Sequence, residues 1–104
     1  MAIYEHNLVT LASYDYETVA AGQTNQVIGV TGATGDRLER VLVAVTTAAT
    51  STFSIIDGST TVFAGTANIP IGVYDLTFQL LSTAGSWKAT TGAGVALTVI
   101  GRFT

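Results

Sequence analysis

Turn-forming residues recur along this chain at intervals of roughly 8–12 residues, and the runs between them are rich in β-branched and aromatic side chains. Gly22, Gly32-Ala33-Thr34-Gly35-Asp36, Asp57-Gly58-Ser59-Thr60, Asn68-Ile69-Pro70, Thr83-Ala84-Gly85 and Gly92-Ala93-Gly94 each interrupt an extended run. No segment carries a sustained apolar pattern at i, i+3, i+4 and i+7 with helix caps, so helices are not expected. The runs are residues 8–14, a short segment closed by Gly22, then 25–31, 37–47, 52–56, 61–64, 71–81, 87–90 and 95–103. This pattern predicts an all-β fold, a single-domain antiparallel β-sandwich or jelly roll of about eight strands. Residues 8–104 form the sandwich and residues 1–7 an N-terminal arm.

Alternation within the runs sorts the side chains onto faces. From residue 71, Tyr74, Leu76, Phe78 and Leu80 share one face, while Val73, Asp75, Thr77 and Gln79 share the other. In the last run Val95, Leu97, Val99, Gly101 and Phe103 oppose Ala96, Thr98, Ile100 and Arg102. The run from Arg37 differs. Val41, Val43 and Val45 point one way, and Leu42 and Ala44, which are also apolar, point the other. One face of that strand belongs to the core and the other meets something else. A chain of 104 residues has little material for a third layer, so Leu42 and Ala44 are expected at an oligomer interface.

Composition agrees. A folded monomer of this mass exposes about 5,500 Å², yet only 11% of the residues are charged and the net charge is −3. Threonine, the commonest residue at 18 copies, covers part of that surface. The remaining apolar excess favours burial against other copies or a partner. Four basic residues in all argue against nucleic-acid binding. No apolar run approaches the ~20 residues of a membrane-spanning helix. The opening residues show neither a basic nor an apolar leader pattern, which predicts synthesis in the cytoplasm. Cysteine is absent, which excludes disulfides and thiolate metal sites.

No reaction is named by the residues. Five positions on from Gly29 stands Thr34, and no Lys-Ser/Thr pair follows Gly35, so the glycine-rich stretch is a turn and not a phosphate loop. His6 is the only imidazole, without the nucleophile elbow of a hydrolase or the further ligands of a zinc site. The carboxylates Glu5, Asp15, Glu17, Asp36, Glu39, Asp57 and Asp75 are expected on solvated surface, Asp36 and Asp57 as turn residues. No catalytic residue, metal site or cofactor is expected, and the chain reads as a non-enzyme. Tyr14 and Tyr16 share a face by spacing. With Trp87 they offer an alternative, a stacking platform for sugar rings, although Trp87 is better suited to filling a small β core.

Two stretches resemble a known family. Pro70-Ile71-Gly72-Val73-Tyr74-Asp75-Leu76-Thr77-Phe78 and the run from Gly85-Ser86-Trp87-Lys88 through Val95-Ala96-Leu97-Thr98-Val99-Ile100-Gly101-Arg102-Phe103 resemble the closing strands of small jelly-roll virion proteins of tailed bacteriophages. These are decoration (cement) and head-fibre modules. The resemblance covers about a third of the chain and rests on the order of strands and turns. It implies a jelly roll, a structural role in the virion, and a homotrimer on the capsid surface in contact with the major capsid protein. It carries over no catalytic residue. The arm, with Ile3, Tyr4, Glu5 and His6, is then the expected capsid contact, by strand addition or by lying along a subunit. The alternative is a carbohydrate- or receptor-binding module of a head or tail fibre.

Overall fold

The computed structural model describes residues 14–104. Eight strands follow one another: β1 (Asp15–Val19), β2 (Gln26–Ile28), β3 (Arg37–Val45), β4 (Phe53–Asp57), β5 (Thr60–Ala64), β6 (Gly72–Leu81), β7 (Trp87–Thr91) and β8 (Val95–Arg102). They form two antiparallel sheets, β1-β8-β3-β6 and β2-β7-β4-β5. The order has a simple origin. β4 pairs with β5, β3 with β6, β2 with β7 and β1 with β8, as in one long hairpin bent at residues 58–59. Rolling that hairpin brings β8 beside β3 and β7 beside β4. Two four-stranded sheets result, which is the jelly roll.

Strand bounds agree with the turn signals to within a few residues, with two differences. The run at 25–31 supplies only the three residues of β2, because Gly29 takes φ +79° and ends it. Of the first run, residues 8–13 lie outside the described part, and Tyr14 precedes β1.

Alternation sets the core. Val41, Val43 and Val45 from β3 interleave with Val95, Leu97 and Val99 from β8. Across the sandwich they meet Phe53, Ile55, Trp87 and Ala89. Leu38 joins the same inner face although it lies three residues before Val41, because a bulge between Leu38 and Arg40 resets the alternation. At the bulge both Glu39 and Arg40 stay out of the core. Gly101 makes the crossing possible: a Cβ there would lie 2.0 Å from the Arg37 carbonyl oxygen and 2.8 Å from the Phe103 ring.

Trp87 corrects the stacking alternative, since its ring is 1% exposed in the core and has no face left for a sugar. Its Nε1–H donates to the Asp36 carbonyl oxygen at 2.8 Å, a bond from the second sheet to the residue just ahead of β3 in the first. Replacing Trp87 with Phe removes that donor and leaves a gap. Trp87→Phe is expected to cost about 2–3 kcal/mol, seen as a lower urea midpoint at unchanged slope. An unchanged midpoint would mean that the indole N–H contributes nothing to stability.

Candidate functional site

The outer face of the β1-β8-β3-β6 sheet carries the residues that alternation set aside. Leu42 lies between Asp75 of β6 and Thr98 of β8, and Ala44 between Val73 and Ala96. Both are half-buried. With Thr18 of β1 they line a shallow groove of about 500 Å³ in which every side chain is uncharged. Small residues make the groove: Ala44 and Ala96 stand opposite each other where neighbouring positions carry larger groups.

Further along the same face, the bulge presents a polar cluster. Glu39 accepts from Arg37 Nε at 2.7 Å, Tyr14 Oη at 3.1 Å and Gln79 Nε2 at 3.1 Å. The Arg37 guanidinium, aided by the Gln79 and Tyr14 donors, holds the Glu39 carboxyl below its ordinary range against the opposing effect of partial burial. Gln79 reaches Glu39 from a backbone at φ +53°, beside the same bulge. A carboxylate engaged by three donors is poorly placed to act as a base, so this cluster ties β3 to β6 and to the start of β1. Tyr14 belongs to that tie. Tyr16, paired with Ile100 across β8, is 69% exposed and is the one candidate aromatic open to a ligand. Trp87 is not brought to this face. Ile3, Tyr4, Glu5 and His6 lie outside the described residues.

The expectation of solvated carboxylates is corrected at two positions. Asp36 and Asp57 are buried because the loops opposite them supply donors. Asp36 accepts from the backbone N–H of Thr104 at 3.0 Å and from its hydroxyl. Asp57 is the last residue of β4, not part of the turn tip. It accepts from Thr83 N at 2.9 Å, Thr83 Oγ1 at 3.1 Å and Ala84 N at 3.1 Å. Next to it Gly58 (φ +62°) and Gly85 pass so closely that a Cβ on either would clash with the other loop's backbone. Among the described residues no group of three or more His, Cys, Asp or Glu side chains could hold a metal ion.

One surface was not found from the sequence. Among the described residues, five of the eight large apolar side chains that are exposed are Val62 and Phe63 on β5, Ile71 ahead of β6, and Leu80 and Leu81 on β6, while a sixth, Val73, belongs to the groove beside Ala44. β5 and β6 are edge strands of their respective sheets, so the sandwich is open on that flank. Phe63 bridges it, 5.4 Å from the Phe53 ring and edge-on to Phe78 at 6.0 Å. Below lies a cleft of about 180 Å³ between Phe53, Phe63, Ile69, Tyr74 and Leu76.

No protein-family model matches the sequence, and no curated protein matches it.

Asp57 generates a measurable pH dependence. Burial pushes its carboxyl up, but hydrogen bonds from Thr83, Ala84 and Gly85 outweigh this and hold it below the ordinary aspartate value. Its folded value therefore lies below its unfolded value near 3.9. The stabilisation is complete above the unfolded value and is lost as pH falls through the folded one. Asp57→Asn should cost about 1–3 kcal/mol at neutral pH and flatten the fall of stability between about pH 5 and pH 2. Identical acid limbs for the two proteins, measured by urea unfolding, would show that Asp57 is not the group responsible.

Proposed function

We propose that this protein is a non-enzymatic structural component of a virion, a capsid decoration protein of a tailed bacteriophage that stands as a homotrimer on the head. One observation supports this reading above the others: the two segments that resemble phage virion proteins form β6, β7 and β8 of an eight-stranded jelly roll. In this role the jelly roll is a rigid body that presents surfaces, with Leu42 and Ala44 meeting another copy. The arm, through Ile3, Tyr4, Glu5 and His6, contacts the major capsid protein. A protein that binds the mature shell and not its precursor stabilises the shell by mass action. Repetition over many sites makes a small energy per copy large in sum.

A second reading has its own observation. The 69% exposure of Tyr16 suits a stacking contact with a sugar ring, as in a carbohydrate- or receptor-binding fibre module. Binding to heads and binding to glycans separate the two.

Deleting residues 1–7 should leave the circular dichroism spectrum and the oligomer unchanged while abolishing binding to mature heads assembled from the phage's own major capsid protein. Full head binding by the truncated protein would remove the arm from the mechanism. Failure of the intact protein to bind such heads, together with glycan binding that Tyr16→Ala abolishes, would replace decoration with the fibre reading.

A further inference from the structure

Asp57-Gly58 is the chain's one Asp-Gly pair. Such a pair is chemically the least durable that aspartate forms, because glycine has no side chain to shield its amide nitrogen from the carboxyl beside it. In an open chain the Gly58 nitrogen attacks Asp57 Cγ. The N–Cγ bond forms, the Cγ–OH bond breaks, and the amide proton leaves with the hydroxyl as water. The resulting succinimide takes up water at one of its two carbonyls. Opening at Cγ restores aspartate. Opening at the main-chain carbonyl gives isoaspartate, in which the backbone runs through Cβ and Cγ.

The fold engages each group in that reaction. The nucleophile is held, since Gly58 N–H donates to the Ser86 carbonyl oxygen at 2.9 Å. The electrophile is held as well. Asp57 Oδ2 accepts from Thr83 N at 2.9 Å and Thr83 Oγ1 at 3.1 Å, and Oδ1 accepts from Ala84 N at 3.1 Å. Burial pushes the carboxyl up, these donors outweigh it, and the group stays ionised with no hydroxyl to release. Asp57 is also clamped between Thr60 of β5 and Trp87 of β7. Rotation has no room: a Cβ on Gly58 would lie 2.6 Å from the Ala84 carbonyl carbon. From these contacts we infer that docking of residues 83–86 over the β4–β5 turn protects Asp57-Gly58 from isomerisation, and that a chain isomerised there is excluded from the native fold.

The exclusion has its own cause. Isoaspartate lengthens the main chain by one carbon where two backbones already cross without space for a methyl group. It also moves the carboxylate onto Cα, away from the donors of Thr83 and Ala84, and leaves part-buried N–H groups without their acceptor. Neither residue is replaceable by a more durable one. Gly58 takes φ +62° at the crossing, and Asp57 is the acceptor for the opposite loop. The β4–β5 hairpin alone gives no protection, because the first of these donors lies 26 residues further along the chain.

The test compares ageing of the folded and the unfolded protein, and it is independent of head binding. Samples are held near pH 5, where an unfolded aspartate with a value near 3.9 keeps a protonated fraction. One is in buffer and one in guanidinium chloride above the unfolding midpoint. Trypsin then releases residues 41–88, between Arg40 and Lys88, which contain Asp57 and, as an internal control, Asp75 before Leu76. Electron-transfer fragmentation tells isoaspartate from aspartate. In denaturant isoaspartate should accumulate at 57 ahead of 75. In buffer it should accumulate at least about a hundredfold more slowly, since the folded chain reacts only through rare openings. After dilution from denaturant, isoaspartate at 57 should be absent from the fraction that refolds, isolated by size exclusion and identified by native Trp87 fluorescence.

Gly85→Ala pushes the loops apart and leaves the reacting pair intact, since its Cβ would lie 2.9 Å from Gly58 Cα. It should speed ageing in buffer several-fold and leave the rate in denaturant unchanged. Thr83→Val, which removes one donor, takes its place if circular dichroism shows Gly85→Ala unfolded. Equal rates in buffer and denaturant would overturn the protection, and a folded variant that ages in buffer like the unaltered protein would remove residues 83–86 from it. Isoaspartate at 57 in the refolded fraction would overturn the exclusion.

Discussion

Asp36 holds the two sheets in place relative to each other. Its carbonyl oxygen takes the indole N–H of Trp87 from the opposite sheet and the backbone N–H of Ser82 from the loop before β7. Its carboxylate takes both donors of Thr104 just beyond β8. One residue at the head of β3 thus gathers three distant parts of the chain. The Trp87 ring fills the space between the sheets while its only polar atom is satisfied, which is the condition for burying an indole without loss. Val41, Val43, Val99 and Ile55 pack in the volume that this tie defines.

The carboxylates show how a chain with few charges uses them. Asp36 and Asp57 are spent inside, each on loops that are far away in sequence, and Glu39 bridges strands at the bulge. Arg40–Asp75 is the one ion pair among the described residues that lies on open surface. Little charge is left for the outer surface, and the groove is lined by uncharged side chains while β5 and β6 expose apolar ones.

Local pattern made most of the strands legible. The Asp57–Thr60 hairpin, the two-faced run around Leu42 and the inner faces of β6 and β8 all follow from turn chemistry and period-two alternation. The bulge also left a trace, since Leu38 and Val41 are three apart where alternation demands two. Burial of Asp36 and Asp57 left none, because an aspartate beside a glycine reads as a turn whether or not a remote loop will supply its donors. The open flank was hidden for another reason. Tyr74, Leu76 and Phe78 form an inward-facing set in any strand, but whether that strand sits at the centre or the rim of a sheet depends on pairing partners that its own residues do not encode. Trp87 suits the core already by its size, but Tyr14 and Tyr16 look equivalent in sequence, and only the fold separates the tyrosine tied to Glu39 from the one that is exposed.

The strand order also governs when the protein can come into being. β8 runs between β1 and β3, and its pairing joins Asp15 to Gly101 and Val45 to Val95. The middle of one sheet is therefore made of the last of the eight described strands to be synthesised. Until residue 102 is free, β1 and β3 have no common neighbour, and the valines of β3 lack the partners that cover them. The β4–β5 hairpin and the β3–β6 pair are available earlier, but closure of the sandwich waits for β8. Contacts this distant in sequence make folding slow, on the scale of milliseconds to seconds. Until β8 arrives, the inner faces of β1 and β3 stay uncovered in a chain in which only 11% of residues are charged.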